Sequence, residues 1–472
     1  MRLRELAGID SDETVTGFAI DHRKVAPGTV FGAFRGSRFN GEDFIPQAIA
    51  SGAAAIVARP EARVEGAPHI AASEPRRAFA LLAAKFFAPY PDVTVAVTGT
   101  NGKTSSVELT RQLWRLAGHN AASIGTLGVT TAHDQVLTGL TTPDIVTFLS
   151  NVAGLKREGV THLSFEASSH GLDQKRTEGL AVRAAGFTNL SRDHLDYHGD
   201  MHSYFAAKLR LFEEVVDEDG AAVVWADDGA HSQKVIEVSR ARGLRVLTVG
   251  ERGETLRLSS RAPSRLGQQL TIEADGKSYK VMLPLIGAYQ AANACVAAGL
   301  AIATGGDVAR TLEHLSRVTP VRGRLERAAI TRAGAPIYVD YAHTPDAIEA
   351  AAAALRPHTK GRLIIVFGAG GDRDQGKRPE MGRVAAEVAN VVIVTDDNPR
   401  SEEPAAIRRD ILAGVPDATE VPGRREAIAE AVRTAGADDV ILLAGKGHEQ
   451  GQIVGDRVLP FDDVTVAREC AA

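Results

Sequence analysis

The segment TVAVTGTNGKTSS, residues 94–106, constrains the fold of this chain more than any other stretch. An apolar, β-rich run enters a glycine-containing loop, and the following VELTRQLWRLAG has the pattern of a helix. Such a loop turns its backbone N–H groups onto a phosphate chain at the positive end of the helix. Lys103 is then expected to reach the β- and γ-phosphates, and the Thr104 hydroxyl to bind Mg²⁺. Val97 stands where the general phosphate-loop pattern has its first glycine, so a glycine turn without nucleotide is the alternative.

Apolar strand-like runs alternate with helix-length segments from Val93 onward. This alternation predicts βαβ units and an α/β fold with mostly parallel sheets. At roughly 150 residues per domain, a chain of 472 residues is expected to form three domains. Proline-containing punctuation at 89–91 and a new series of βα units after residue 319 place these domains at 1–90, 91–318 and 319–472.

The overall composition excludes several functional classes. The formal net charge is −5, whereas a nucleic-acid or anionic-membrane binder needs a basic excess. No apolar run approaches the roughly 18 residues of a membrane-spanning helix. Cys295 and Cys470 lack a paired spacing, which argues against a disulfide framework or a zinc cluster. We therefore expect a cytoplasmic protein that binds no nucleic acid and inserts into no membrane.

Four apolar runs in the last third of the chain each end in polar residues. Their ends carry His343, Arg373, Arg400, and Lys446 with Glu449. In open α/β sheets, ligands bind outside the carboxyl ends of the strands. These residues therefore predict one sheet edge that holds polar ligands, and ordinary solvated loops are the alternative.

Two further strand ends lie in the central part. The run THLSFE ends at Glu166, a carboxylate suited to Mg²⁺, although a glutamate at an ordinary helix cap is equally compatible. The next strand ends in NLSRDHLDYH, residues 189–198, where two histidines and two aspartates could be metal ligands, acid–base groups or a polar loop. Lys208, in YFAAKLRLF, has the local pattern of an ordinary helix lysine.

Seven motifs occur in order along the chain: GTNGKT, FEASSHGL, NLSRDHLDYHG with AAKLRLF, YVDYAHTPDAI, GAGGDRDQGKRPEMG, DNPRSEEP and GKGHEQGQ. Together they resemble the Mur ligases of peptidoglycan synthesis, and within that family the type that adds the third amino acid of the peptide. The resemblance extends from about residue 17 to residue 463. GTNGK alone would be shared with folylpolyglutamate synthetases, whereas the DNPR and GKGHE pair is much more specific.

The resemblance implies an N-terminal domain for the UDP end, a central P-loop ATPase domain and a C-terminal Rossmann-like domain for the incoming amino acid. It implies that ATP phosphorylates the D-Glu carboxylate of UDP-MurNAc-L-Ala-D-Glu. The amine of the third amino acid then attacks the acyl phosphate, yielding the amide, ADP and phosphate. Phosphorylation makes the carboxylate oxygen a good leaving group, so catalysis should consist mostly of charge neutralisation and positioning. The family also implies a monomer.

The resemblance further implies the roles of individual residues around ATP. Those implied to be catalytic are Lys103, Lys208, His194 and Glu166. Those implied to bind ATP are Gly99, Thr100, Asn101, Gly102, Lys103, Thr104, Ser105, Asn293 and Arg324. Those implied to hold magnesium are Thr104, Glu166, His194 and Lys208. Lys208 matches a family lysine that CO₂ carbamylates, which turns a cation into a carboxylate-like anion.

The residues implied to bind the UDP-MurNAc-dipeptide are His22, Ser37, Arg38, Phe39, Thr141, Thr142, Ser168, Gln174 and Arg176. Their hydroxyl, amide and guanidinium groups suit the carboxylates and amides of that substrate. The chain departs from the family pattern at three positions. His22 replaces a serine, and Leu140 and Gln290 each replace an asparagine.

The added amino acid is expected to be meso-diaminopimelate rather than L-lysine. The residues implied to bind it are Arg373, Asp397, Asn398, Pro399, Arg400, Gly445 and Glu449. Arg400 could clamp the far carboxylate in a bidentate pair that lysine cannot use. Addition of L-lysine, with Arg400 in a structural salt bridge, is the alternative.

Two other functions are compatible with the phosphate loop. A folylpolyglutamate synthetase-like ligase would need a pterin site and glutamate, and it would have no use for Arg400 or for an N-terminal UDP domain. A nucleotide-dependent binding protein would hydrolyse ATP without regard to any amino acid.

Overall fold

The computed structural model describes residues 1–36, 39–264 and 267–472. The first part of the chain forms a parallel sheet in the order β1-β2-β3-β4. Its strands are β1 (Gly17–Ala19), β2 (Thr29–Gly32), β3 (Ala53–Ala58) and β4 (His69–Ala71), and its helices are α1 (Leu3–Ala7), α2 (Ile45–Ala50) and α3 (Pro75–Phe87). The six residues of β3, all apolar and all buried, form the centre of this sheet.

The central part of the chain is built on a long mixed sheet. Its strands are β5 (Val93–Thr98), β6 (Ala121–Gly125), β7 (Gly128–Thr130), β8 (Gln135–Val136), β9 (His162–Glu166), β10 (Val182–Phe187), β11 (Val216–Trp225), β12 (Arg245–Gly250), β13 (Leu256–Ser264), β14 (Gly267–Ala274) and β15 (Lys277–Leu283). Among the described residues their order is β15-β14-β13-β12-β11-β10-β5-β9-β6-β7-β8. Within the stretch β13-β12-β11-β10-β5-β9-β6, neighbouring strands are parallel. The ends of the sheet, β13-β14-β15 and β6-β7-β8, are antiparallel.

Helices cover both faces of the central sheet. They are α4 (Lys103–Leu116), α5 (Ile145–Arg157), α6 (Ser169–Asp173), α7 (Leu195–His198), α8 (Met201–Arg210), α9 (Ala230–Ala241), α10 (Ala288–Ala303) and α11 (Val308–His314). Helices α4 and α10 pack together within one apolar core. Helix α5 packs against α3, so a second core is shared with the N-terminal sheet.

The last part of the chain forms a sheet in the order β16-β17-β21-β18-β19-β20, in which only the β16–β17 pair of the described strands is antiparallel. The strands are β16 (Glu326–Ile330), β17 (Pro336–Asp340), β18 (Leu363–Phe367), β19 (Val391–Val394), β20 (Thr419–Glu420) and β21 (Val440–Ala444), followed by the hairpin β22 (Gly451–Val454) and β23 (Arg457–Pro460). Its helices are α12 (Pro345–Leu355), α13 (Lys377–Val388), α14 (Pro404–Leu412), α15 (Arg424–Thr434) and α16 (Asp463–Ala471).

The predicted α/β class with mostly parallel sheets is confirmed. The antiparallel ends of the central sheet were not predicted. At one end β7 and β8 have only three and two residues, and at the other β13 and β15 carry many exposed polar residues that obscure an apolar pattern. Within the described ranges, none of the helices is both long and apolar enough to span a membrane. In the parallel region of the central sheet, β5, β9 and β10 end at one edge, and this edge carries the site described next.

Candidate active site

A cavity of about 380 Å³ lies between the central sheet and the C-terminal sheet. The residues around it follow the carboxyl ends of β5, β9 and β10 on one side and of β17 on the other. Those with predicted roles are Thr100, Asn101, Gly102, Lys103, Thr104, Ser105, Thr141, Glu166, Ser168, His194, Lys208, Asn293 and Arg324. The structure therefore brings together most of the residues that the sequence assigned to ATP and magnesium.

The loop between β5 and α4 has the backbone that a phosphate-binding loop requires. Gly99 and Gly102 have φ angles of +145° and +87°, in the left-handed region. A Cβ atom at Gly99 would lie 2.0 Å from the Thr188 hydroxyl, and one at Gly102 would lie 2.2 Å from Asn293 Oδ1. Only glycine fits both positions, so the loop depends on close packing against β10 and α10.

The residues after β10 hold this loop in place. The Asn101 N–H donates to Asn189 Oδ1 at 2.9 Å, and the Thr188 hydroxyl donates to the Asn101 carbonyl at 2.6 Å. The Thr100 N–H donates to the Asn189 carbonyl at 2.9 Å. The NLS motif that the sequence suggested as part of a metal or acid–base loop therefore also anchors the phosphate loop.

Lys103 begins α4 and folds back over the loop. Its Nζ donates to the Gly99 carbonyl at 2.9 Å and to the Thr100 carbonyl at 2.8 Å. Burial lowers the pKa of Lys103, while the Glu166 and Asp193 carboxylates oppose that shift. The ammonium group is therefore held by neutral carbonyls, at a place where a phosphate chain could replace them as its partner.

Lys208 is a buried lysine with an unusual set of neighbours. Its side chain on α8 is 1% exposed, and its Nζ donates to the Gly99 carbonyl at 2.7 Å. The Nζ lies 4.4 Å from the ring centre of Tyr204, one helical turn earlier. In the described part of the chain, no carboxylate oxygen lies within 4.0 Å of this amine. Burial holds the pKa of Lys208 well below its usual value, and the neighbouring Lys103 adds to the shift.

Tyr204 was missed by the sequence reasoning. The Tyr204 hydroxyl lies 3.1 Å from the Thr100 hydroxyl. Tyr204, whose ring Lys208 contacts, therefore connects α8 to the phosphate loop. The available signal was spacing, because residues four apart lie on the same face of a helix.

Glu166 ends β9 and its carboxylate is tied to one neighbouring loop. Oε1 accepts from the Thr126 N–H at 2.7 Å, and Oε2 accepts from the Thr126 hydroxyl at 3.1 Å. The Thr126 hydroxyl also lies 3.1 Å from that of Thr141, and the Thr142 hydroxyl donates to the Glu166 carbonyl at 2.8 Å. Glu166 is thus positioned by the loops that carry the predicted substrate-binding threonines.

His194 lies across the cavity with a strained backbone, at a φ of +55°. Burial lowers its pKa to about 4, although the adjacent Asp193 carboxylate opposes the shift. Its ring lies 4.9 Å from that of His170, and His170 in turn packs 4.1 Å from the ring of Tyr197. His194 is therefore neutral at pH 7, which is the form that can bind a metal ion.

The donor set fits magnesium bound together with a nucleotide better than an independent metal site. The described residues include no group of three or more His, Cys, Asp or Glu side chains that could hold a metal ion. Mg²⁺ typically takes one or two protein carboxylates and completes its shell with phosphate oxygens and water. Glu166 and Thr104 carry oxygen atoms of the kind that Mg²⁺ prefers, whereas Lys208 would offer one only after conversion to an anion.

Arg324 brings the C-terminal part of the chain onto the phosphate loop. Its Nη2 donates to the Thr104 hydroxyl at 3.0 Å, and its guanidinium lies 4.6 Å from the ring centre of Tyr341. Gln290 donates from Nε2 to the Arg324 carbonyl at 3.0 Å and lies 3.5 Å from the Asn293 amide. Gln290, where the family has asparagine, thus connects α10 to the arginine.

The residues predicted for the UDP-linked substrate fall into two groups. Thr141, Thr142, Ser168, Gln174 and Arg176 lie together in the central part of the chain. Arg176 donates from Nη1 to the Thr142 carbonyl at 2.8 Å and from Nη2 to Gln174 Oε1 at 2.8 Å. The Ser168 hydroxyl accepts from the Gly171 N–H at 3.1 Å and so caps α6. The departure at Leu140 leaves that side chain exposed.

The second group belongs to the N-terminal sheet and does not line the cavity. His22 stacks on Phe44 with ring centres 4.3 Å apart and planes 3° from parallel. Phe39 is 73% exposed, so its ring is available to a ligand. Ser37 and Arg38 lie outside the described residues. Phe44 was not predicted, since a lone phenylalanine before a helix carries no functional signal.

The residues predicted for the incoming amino acid lie together at the carboxyl ends of β19 and β21. Asn398 donates from Nδ2 to Glu449 Oε2 at 2.7 Å, and the buried Lys446 lies 3.1 Å from the same oxygen. A Cβ at Gly445 would lie 2.7 Å from Asp397 Oδ2, so glycine is needed there. Pro399 accepts from the Glu402 N–H through its carbonyl, which closes the turn.

Arg373 and Arg400 complete this group. Arg400 has a φ of +52°, and its Nη1 donates to the Gly371 carbonyl at 2.6 Å. Neither guanidinium has a carboxylate oxygen within 4.0 Å in the part of the chain that the structure describes. The alternative that Arg400 serves a structural salt bridge thus finds no partner there.

Three models of known protein families match successive parts of the chain. Residues 97–301 match the Mur ligase middle domain, 323–447 the Mur ligase glutamate ligase domain, and 14–87 the catalytic domain of the Mur ligase family. The UDP-N-acetylmuramoyl-L-alanyl-D-glutamate–2,6-diaminopimelate ligase of Zymomonas mobilis is 59% identical, covering 98% of this chain and 95% of the relative. The enzyme of the same name from Bradyrhizobium diazoefficiens is 52% identical, covering 98% and 97%.

A solved structure of a UDP-N-acetylmuramoyl-L-alanyl-D-glutamate–2,6-diaminopimelate ligase superposes with a TM-score of 0.73 at 32% identity. The match covers 100% of this chain and 98% of that one. Fold, motif order and sequence identity over nearly the full length agree. The chain therefore belongs to the Mur ligase family.

Proposed function

We propose that this chain is an ATP-dependent amide ligase that adds meso-diaminopimelate to the D-glutamate carboxylate of UDP-MurNAc-L-Ala-D-Glu, a step of peptidoglycan precursor synthesis. The main support for this proposal is the cavity that the phosphate loop and the loops of the central and C-terminal sheets line together. An acid, a nucleoside triphosphate and an amine can meet there. Relatives that are 59% and 52% identical to this chain are named as ligases that act on these substrates, which supports the assignment.

The phosphate loop supplies the activation step. The backbone N–H groups of 99–105, together with Lys103, would hold the phosphates of ATP, and Arg324 would reach them from the C-terminal side. Asn293, packed against Gly102, supports the loop near the nucleotide. These groups neutralise the negative charge that builds up while a phosphoryl group moves to the substrate carboxylate.

Glu166, His194 and the Thr104 hydroxyl would hold magnesium, which supplies charge neutralisation between the phosphates and the carboxylate. The environment of Lys208 supports its conversion to a carbamate. A buried amine without a carboxylate partner favours the neutral form, and the neutral amine is the form that reacts with CO₂. The resulting anion would face the same metal site and remove the cost of a buried positive charge.

The two substrates meet from opposite sides of the cavity. Thr141, Thr142, Ser168, Gln174 and Arg176 would bind the peptide end of the UDP-linked substrate, and His22 and Phe39 its nucleotide end. The turn at 397–400, with Arg373, Gly445 and Glu449, would bind the amino acid. Movement of the C-terminal part of the chain toward the central part would close the site and keep water from hydrolysing the acyl phosphate.

The choice of amino acid depends on Arg400. Its guanidinium has no described carboxylate partner, so the far carboxylate of meso-diaminopimelate would complete it. We expect Arg400→Ala to lower kcat/KM for meso-diaminopimelate about 100-fold or more, because the variant loses a charged hydrogen-bonded pair. The ratio of meso-diaminopimelate to L-lysine kcat/KM, measured by phosphate release, should fall by the same factor.

Arg409→Ala, on an exposed position of α14, is the control and should leave the ratio unchanged. Equal rates with the two amino acids in the wild type would refute the Arg400 argument, and a higher rate with L-lysine would favour L-lysine as the added amino acid.

A coupled assay of ADP release, with each substrate omitted in turn, tests the function as a whole. The proposal requires ADP release to depend on UDP-MurNAc-L-Ala-D-Glu and on meso-diaminopimelate together. Dependence on glutamate and a folate would support a folylpolyglutamate synthetase. ADP release that is indifferent to any amino acid would support a nucleotide-dependent binding protein.

A further inference from the structure

Arg76, in the first turn of α3, is a partly buried cation without an anionic partner. No carboxylate oxygen of the described residues lies within 4.0 Å of its guanidinium. Its polar contact is Nη2, which donates to the Arg35 carbonyl at 3.1 Å. Its guanidinium lies 4.9 Å from the ring centre of Phe34, so one face of the group is covered by an aromatic ring.

A second arginine without a carboxylate oxygen within 4.0 Å among the described residues, Arg176, lies close by in the central part of the chain. Its neighbour Lys175 has Nζ 3.6 Å from Glu74 Oε1, and Arg77 Nε lies 4.0 Å from Glu178 Oε2, so residues 175–178 pack against the start of α3.

Arg176 donates only to neutral oxygens, those of Thr142 and Gln174, among the described residues. Burial lowers the pKa of both arginines, and the charge of Arg76 lowers that of Arg176 further. Asp144 opposes the shift at Arg176, but none of its carboxylate oxygens lies within 4.0 Å of that guanidinium. The two partly desolvated like charges therefore lack a direct ion pair among the described residues, and an anion bound between them would stabilise both.

The other charged and titratable groups near Arg76 do not supply that anion. Asp173 lies beyond 4.0 Å of Arg76, and its carboxylate accepts the Tyr197 hydroxyl at 2.7 Å. Tyr197 also accepts from Gln174 Nε2 at 3.1 Å. These neighbours oppose the fall in the pKa of Arg76 without pairing with it.

Arg76 lies beside residues of both groups proposed to bind the nucleotide-linked substrate. Arg35 pairs with Asn40, the residue after Phe39, so Phe34 and Arg35 belong to the nucleotide side. Arg176 belongs to the group that would bind the sugar–peptide side. In a UDP-linked sugar, the diphosphate is the segment that joins these two ends and carries most of the negative charge between them. A guanidinium matches a phosphate with two parallel hydrogen bonds.

We infer that Arg76 binds the diphosphate of the nucleotide-linked sugar substrate, next to Arg176. This inference rests on the proposed function for its substrate class. It adds a specificity-determining residue that the sequence motifs did not indicate, because Arg76 lies outside all of them. It also gives the N-terminal sheet a direct role in recognising charge, in addition to contact with the nucleotide rings.

Titration calorimetry with UDP-MurNAc-L-Ala-D-Glu tests this inference without requiring turnover. Arg76→Ala should weaken binding about 30-fold, the range expected for hydrogen bonds to a charged group. Arg76→Lys should recover part of this loss, because it keeps the charge but not the planar fork. Arg77→Ala is the matched control, since Arg77 follows on the same helix and faces Glu74 and Glu178 at 3.7 and 4.0 Å.

The truncated ligand MurNAc-L-Ala-D-Glu, which lacks the diphosphate, separates recognition from structure. Its affinity should be equal for wild type and Arg76→Ala, and an equal loss with both ligands would overturn the inference. Unchanged affinity of Arg76→Ala for UDP-MurNAc-L-Ala-D-Glu would overturn it as well. Failure of the wild type to form a longer peptide would instead refute the proposed function, and the calorimetric comparison would still decide the role of Arg76.

Discussion

Lys103→Ala should reduce ADP-forming ligation about 1000-fold while leaving the fold intact. Among the residues that the structure describes, Lys103 Nζ donates only to the Gly99 and Thr100 carbonyls and has no carboxylate oxygen within 4.0 Å, so its removal breaks no ion pair there. Its charge is instead available to the phosphates of ATP during transfer, where a single fixed donor contributes roughly 10²–10³ in rate. The loss should appear in kcat, measured by product peptide formation at saturating substrates.

Lys156→Ala provides the control for this substitution. Lys156 is a lysine on α5 that pairs with Asp92 at 2.6 Å, away from the cavity. Its replacement should leave ligation within about twofold, as expected for a surface ion pair. A Lys103→Ala variant with nearly wild-type turnover would show that the phosphate loop does not bind the nucleotide that reacts.

Lys208→Met should also abolish most ligation, by about 1000-fold, and should do so regardless of added bicarbonate. Methionine fills the buried position without a charge, which separates the chemistry of Lys208 from its packing against Tyr204. Wild-type enzyme in CO₂-depleted buffer should lose activity and regain it when bicarbonate is added. The reason is that an anionic carbamate, rather than an amine, suits the metal site beside Glu166 and His194.

A ¹³C NMR measurement with labelled bicarbonate gives this second prediction a readout other than activity. A carbamate signal should appear in the wild type and be absent from Lys208→Met. It should persist in Lys446→Met, because Lys446 is equally buried but lies 3.1 Å from the Glu449 carboxylate and is thus paired. Undiminished activity of the wild type without CO₂, together with no carbamate signal, would end the carbamate hypothesis.

Regular features of the fold could be predicted from the sequence because they have strong local signals. The run VTVAVT at 93–98 is rich in β-branched residues and forms a strand in the parallel part of the sheet that is buried on both faces. Helix α4 begins at Lys103, directly after Gly102, where the sequence pattern changes from strand to helix. The antiparallel strands at the ends of the sheet lack such signals, and β8 has only two residues. The packing of α3 on α5 depends on contacts between distant parts of the chain, which no local pattern reveals.

Residues of the candidate site could be predicted where they belong to a recognisable motif. They were missed where only their packing in the folded structure reveals them. Glu166 and His194 lie in motifs at strand ends, and the structure places both at one cavity. Tyr204 and Arg76 are distinguished by their neighbours in space, a buried amine and a second arginine, whereas their local sequences look ordinary. The low exposure of Lys208 likewise cannot be inferred from YFAAKLRLF, in which it reads as a helix lysine.

Transfer of oxygen from the substrate to phosphate tests the central claim most directly. UDP-MurNAc-L-Ala-D-Glu labelled with ¹⁸O in the reacting D-glutamate carboxylate is incubated with ATP and meso-diaminopimelate, and the released phosphate is analysed by mass spectrometry. If ATP activates this carboxylate, its oxygen leaves with the phosphoryl group, and each amide formed yields one phosphate containing ¹⁸O. Tripeptide formation with unlabelled phosphate would contradict the account, because the acid would then have been joined to the amine without being phosphorylated.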